Sequence, residues 1–166
     1  MARFDKSLVA VTSRSFSTNQ FLVKKLKESY PNVSLNLTGK TLKENELVKF
    51  LANADKAIVG IEIIDKDILD QLPKLKLISK YGVGLNNLDL DECKKRNIQI
   101  KFQPGSNKQS VAEFTLLLML NSLRQVHNNK TEIIEGNWTQ AKGQELKGKK
   151  IGIIGFGNIG SCLVSL

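Results

Sequence analysis

At 166 residues, 41% of them hydrophobic and 25% charged, the chain has the composition of an ordinary soluble globular protein, which excludes a disordered or low-complexity polymer and allows one α/β domain with residues to spare. A net charge of +9 does not make it a nucleic-acid binder: lysines come at most two in a row, as at 24–25, 94–95 and 149–150, and aromatics are 6%, so the surplus reads as a lysine-rich soluble surface, with attraction of a small anion as the alternative. No basic-then-apolar leader precedes the first strand, the longest apolar block (114–120) falls well short of the ~20 residues of a membrane span, and Cys93 and Cys162 lack ligand-spaced partners; a cytoplasmic chain with reduced thiols, no membrane segment and no metal site is expected.

The first hundred residues repeat one rhythm of short β-branched run, turn and helical stretch. Residues 8–12 (LVAVT) are the first strand candidate, and Ser17 or Thr18 can cap a helix whose apolar positions Phe21, Leu22 and Leu26 fall at three-to-four spacing. Strands follow at 33–37, 56–60, 75–79 and 98–102, with helical patterns at 42–51, 66–71 and 90–96 between them. Strands alternating with helices of this length pair in parallel through right-handed crossovers. The expected fold is α/β, a doubly wound parallel sheet.

From residue 110 to about 126 the pattern changes. Val111, Ala112, Phe114, Leu116, Leu117, Leu118, Met119, Leu120 and Leu123 make a helix apolar nearly all round, the mark of a helix buried between two masses or at an interface. Ser110-Val-Ala-Glu113 has capping-box spacing, and Asn107 is an equally good cap one turn earlier. The polar stretch 139–150 reads as a linker.

Two motifs carry chemistry. Residues 149–154 (KKIGII) read as a short strand, and Gly155-Phe156-Gly157-Asn158-Ile159-Gly160 follows without a gap. Glycine suits all three places: a tight turn, an approach of backbone N–H groups to a pyrophosphate, and close packing of the next helix on the strand. A plain strand-to-helix turn is the simpler alternative. The acidic residue that would bind a ribose hydroxyl about 20 residues on has no counterpart, so NAD and NADP are not separated. The second motif, Lys80-Tyr-Gly-Val-Gly84, ends the fourth strand, where open parallel sheets bind ligands and where a Gly-x-Gly exposes N–H groups to an anion.

Taken in order, KYGVGLNNLDLDECKKRNI, NKQSVAEFTLLLMLNSLRQ and NW followed by GQELKGKKIGIIGFGNIG resemble the D-isomer-specific 2-hydroxyacid dehydrogenases, phosphoglycerate dehydrogenase-like members in particular. The likeness is specific from about residue 79 to 160 and diffuse from 1 to 72. It implies a flavodoxin-like substrate domain (1–105), an interdomain helix and linker (106–148) whose 110–126 helix joins a homodimer, and the start of an NAD-binding Rossmann domain (149–166). It further implies that Val83 and Gly84 offer N–H groups to the carboxylate of a small anionic 2-hydroxy or 2-oxo acid, with Lys80 and Asn107 as polar substrate contacts. Val111 would pack near the nicotinamide of NAD (or NADP), and Gly155, Phe156, Gly157, Asn158, Ile159 and Gly160 would wrap the pyrophosphate. For Asn107 capping, and for Val111 plain packing, remain the alternatives.

In that family a histidine moves the proton of the 2-hydroxyl, a glutamate tunes it and an arginine orients the carboxylate, all downstream of the glycine motif. His127, the one histidine, does not match it, and Glu113 fits a structural place, so no catalytic residue is assigned. The sequence stops at Leu166, six residues past the motif, and the expectation is an unfinished domain: a frameshifted gene, a deliberately shortened chain or a piece of a longer one. The leading reading is therefore part of a dehydrogenase, inactive and not binding the cofactor alone. The other is a stand-alone, non-catalytic module for small-acid binding or dimerisation.

Overall fold

A computed structural model of the chain describes residues 5–139 and 142–166; residues 1–4 of the expected substrate domain and 140–141 of the expected linker lie outside the described residues. The chain divides into two compact units, Met1–Pro104 and Gly105–Leu166.

The first unit is a five-stranded, all-parallel sheet: β1 (Val9–Val11), β2 (Val33–Leu35), β3 (Lys56–Val59), β4 (Leu77–Lys80) and β5 (Gln99–Lys101), in the order β2-β1-β3-β4-β5. This is the flavodoxin-like order, with its reversal between β1 and β3. Val9 pairs with Val33 on one side and Lys56 on the other, Lys56 with Leu77, and Leu77 with Gln99. All three residues of β1 are buried, and successive strand residues point to opposite faces, so β1 is covered on both.

The crossovers are α1 (Arg14–Ser17), α2 (Gln20–Ser29), α3 (Glu44–Leu51), α4 (Lys66–Asp70) and α5 (Leu90–Lys95). One core cluster joins Ala10, Ala57, Val59 and Ile78 of the sheet to Leu47 and Leu51 of α3, Ile68 and Leu69 of α4 and Cys93 of α5. Helix starts are set by side chains that satisfy otherwise orphaned N–H groups: Asp65 accepts from Ile68 N at 3.0 Å and Asp89 from Glu92 N at 2.9 Å. Burial pushes the Cys93 thiol up from its ordinary value, which keeps it protonated. The cap of α2 is Asn19 rather than Ser17 or Thr18, because the short α1, capped by Ser13, occupies those positions. Leu22 and Leu26 are half-buried as expected, but Phe21 is exposed.

The second unit holds α6 (Lys108–Arg124), α7 (Val126–Ile134) and α8 (Asn158–Val164). Gln125, left-handed at φ 52°, separates α6 from α7. α8 packs against α6, where Cys162 Sγ donates to Gln109 Oε1 at 3.1 Å. Of α6 only Ala112 is fully buried, while Phe114 is 58% and Leu117 57% exposed. The seven-residue α8 spans about 10 Å of a helix about 26 Å long, too little to cover it. The capping box does not form: α6 starts at Lys108, which puts Ser110 inside it, and Glu113 accepts from Gln109 Nε2 at 2.7 Å instead. Asn107 stands at the cap position, but its near-helical backbone (φ −104°, ψ 8°) leaves its side chain without a capping bond. Finally, residues 149–154 carry no strand pairing, and Ile151 and Ile154 are exposed, since a strand needs a neighbour to form a ladder.

Candidate functional site

The first unit gathers its polar side chains at the carboxyl ends of β1, β3 and β4. Ile78 anchors β4 in the core, and Lys80 then leads into the turn Tyr81-Gly82-Val83-Gly84. Gly82 has φ +142°, a conformation that side-chain-bearing residues rarely adopt. Tyr81 N donates to Val59 O at 2.8 Å, but the N–H groups of Gly82, Val83 and Gly84 have no acceptor among the described residues. Three successive unpaired donors form the kind of backbone concavity that takes an anion.

Lys80 is braced beside this turn. Its ammonium donates to the Gly60 carbonyl and to Asn87 Oδ1, the latter at 2.6 Å. Asn87 Nδ2 donates in turn to Glu62 O at 2.5 Å and Gly60 O at 3.3 Å, which ties the turn after β4 to the loop after β3. Burial lowers the Lys80 pKa from its ordinary value, and the negative charge of Glu62 partly opposes the shift. Glu62 is itself only 2% exposed; its Oε2 accepts from Thr12 Oγ1 at 2.9 Å and Gly60 N at 2.8 Å. Sequence reasoning missed Thr12, Gly60, Glu62 and Asn87. The available signal was position, since Thr12 and Gly60 directly follow strands.

A cleft of about 420 Å³ opens beside this network, lined by Ser13, Arg14, Ser15, Gly60, Glu62 and Tyr81 among others. A wider groove of about 620 Å³, bordered by Lys43, Ile63 and Ile68, shares Ile61 and Glu62 with it.

Asn107, Val111 and the glycine loop belong to the second unit. Gly155 has φ +87°, and a Cβ on Gly160 would lie 2.6 Å from the Gly155 carbonyl oxygen, so the turn into α8 requires glycine at both. A Cβ on Gly157 would meet nothing within 4 Å, which leaves open space in front of the helix. Phe156 is 68% exposed and Ile159 38%. A Cβ on Gly105 would lie 3.1 Å from the Asn158 side chain, so the loop that leads through Asn107 into α6 borders the start of α8. Val111 is half-buried one turn into α6. These residues fit a pyrophosphate in the features they possess: positive φ at the first glycine, no side chain over the second, and no room at the third. His127 is exposed on α7. No cluster of metal-ligating side chains is found among the described residues, and no helix among them is long and apolar enough to cross a membrane.

The family model described as D-isomer specific 2-hydroxyacid dehydrogenase, catalytic domain, matches residues 9–157. A hydroxypyruvate reductase of Thermotoga maritima is 36% identical over 129 residues, which cover 76% of this chain and 42% of that protein. A D-3-phosphoglycerate dehydrogenase of Methanocaldococcus jannaschii is 34% identical over 127 residues, covering 74% and 24% respectively. The chain thus spans less than half the length of these curated relatives. Among solved structures, the NAD+-bound 3-phosphoglycerate dehydrogenase of Entamoeba histolytica superposes with a TM-score of 0.75 over 97% of this chain and 50% of that one, at 24% identity, a likeness of fold.

Proposed function

The chain belongs to the D-isomer specific 2-hydroxyacid dehydrogenase family, and from that membership we propose that it supplies the substrate-binding part of an NAD-dependent oxidoreductase acting on the CH–OH group of a small D-2-hydroxy acid. Residues 1–105 are the substrate domain, 106–148 the interdomain helix and linker, and 149–166 the opening of the NAD-binding domain. One observation carries the reading: the N–H groups of Gly82, Val83 and Gly84, unpaired among the described residues, at the end of the half-buried parallel strand β4. They hold the substrate carboxylate, and Lys80 keeps one N–H for it beyond the two spent on Gly60 and Asn87. Asn107 adds a polar contact, Val111 packs near the nicotinamide, and Gly155, Phe156, Gly157, Asn158, Ile159 and Gly160 receive the pyrophosphate. NAD, when bound, supplies the acceptor for the hydride that leaves the substrate C2.

No residue of this chain takes the proton from the 2-hydroxyl. The single histidine lies on α7, and Glu113 is engaged with Gln109. A missing general base costs about 10²–10⁴ in rate. The purified chain is therefore expected to form no NADH from NAD and D-glycerate, while D-glycerate shifts the amide signals of Gly82–Gly84 in a nitrogen-15 NMR titration. An unmoved turn would overturn the binding role. Substrate-dependent NADH formation would overturn the inactivity.

A further inference from the structure

The sheet order reverses between β1 and β3, and open α/β sheets bind ligands in the crevice that this reversal creates. The cleft of about 420 Å³ lies there: Ser13, Arg14 and Ser15 follow β1, while Gly60 and Glu62 follow β3. Its volume falls in the range of small-molecule sites and exceeds what a glyoxylate-sized acid would fill. Tyr81, the residue before the unpaired amides, lines the same cleft, so the two features share a wall.

The accessible charge of the cleft is positive. The Arg14 guanidinium makes one hydrogen bond, from Nη1 to the Gly39 carbonyl at 3.2 Å, and has no carboxylate partner among the described residues. A neutral partner leaves its charge uncompensated and most of its donor fork free for bidentate contact. The exposed Ser15 hydroxyl lies beside it, 3.3 Å from that of Ser13, which is 4% exposed and caps α1. The one carboxylate in the lining, Glu62, is 2% exposed and has Oε2 committed to Thr12 and Gly60.

We propose that Arg14, with Ser15, binds an oxyanion group, carboxylate or phosphate, at the end of the substrate remote from the carboxylate held by Gly82–Gly84. This assignment rests on the substrate-binding role proposed above and adds that the preferred acid carries a second negative group.

The test is a nitrogen-15 NMR titration of the 166-residue chain with glycolate, D-malate and 3-phosphoglycerate, repeated on Arg14→Gln and Arg14→Lys. Arg14 is exposed and spends one hydrogen bond on a neighbour, so both variants are expected to keep the wild-type spectrum elsewhere. All three acids should shift Gly82–Gly84. Malate, phosphoglycerate or both should also shift residues 13–15 and bind about tenfold or more tighter than glycolate. Arg14→Gln should abolish that advantage without changing glycolate binding, and Arg14→Lys should restore part of it. Which acid gains more identifies the remote group as carboxylate or phosphate. Shifts at Gly82–Gly84 with residues 13–15 unmoved, or an advantage that survives Arg14→Gln, would overturn this inference and leave the carboxylate site standing. No shift at Gly82–Gly84 with any acid would overturn both.

Discussion

Lys80 shows how a residue's neighbours change what its type suggests. On the likeness to the family it is a substrate contact; in the fold two of its three N–H donors brace Gly60 and Asn87, and its ammonium is partly stripped of water. A lysine whose folded pKa is depressed binds its proton less tightly folded than unfolded. Its protonated form therefore costs stability at low pH, and stability rises as pH climbs through the folded pKa towards the unfolded one. In carbon-13 lysine-labelled protein, the Lys80 Cε signal should titrate below the ordinary lysine value; titration at or above that value would contradict the burial argument. The glycine loop gives a second test at this scale. Ala at 160 would place a methyl 2.6 Å from the Gly155 carbonyl, whereas at 157 it meets open space at an unstrained φ of −92°. Gly160→Ala should destabilise the α8 turn by about 1–3 kcal/mol and Gly157→Ala by roughly 0.5 or less, read as amide exchange protection along α8. Equal effects would remove the steric account of the motif.

At the scale of elements, α3 packs Leu47 and Leu51, each 1% exposed, into the core cluster that it shares with the sheet. Leu47→Ala should cost about 2–5 kcal/mol in urea unfolding of the first unit, because a rigid neighbourhood leaves a cavity rather than closing on it. A cost below about 1 kcal/mol would mean that α3 is loosely held. Such strands and helices were legible from their patterns because burial on the sheet is local information: the apolar runs at 8–12 and 56–60 became β1, buried at all three residues, and β3, buried at alternate ones. The elements that were not legible depend on what is absent from a local window. α1 is too short for a period, and the cap of α2 moved to Asn19 once α1 took the residues before it. Residues 149–154 have the composition of a buried strand but no neighbour to pair with, so Ile151, Ile153 and Ile154 are exposed and no strand forms. The site divides in the same way. Gly82–Gly84 followed from a strand end rich in glycine, whereas Glu62 meets Thr12 across 50 positions, and no spacing rule reaches that far.

For the molecule as a whole, the open matter is the apolar face of α6. Phe114, Leu117 and Leu118 recur at three- and four-residue steps, form one stripe, and are 58%, 57% and 49% exposed. Beyond α6, Val126, Ile133 and Ile134 are exposed too, at 54% to 73%. Soluble monomers rarely leave so much contiguous apolar surface wet. A second copy is the economical cover, since a twofold axis lets one stripe serve both sides of the contact. We expect a dimer by light scattering at micromolar concentration, and a monomer for Leu117→Glu, because two charges facing each other in an apolar contact lose their water without gaining a partner. The same variant should leave the urea unfolding of the first unit unchanged, as Leu117 lies in the second. A wild-type monomer would show that the stripe is not self-complementary and reserve it for a different surface. A dimer that survives Leu117→Glu would move the contact elsewhere on the chain.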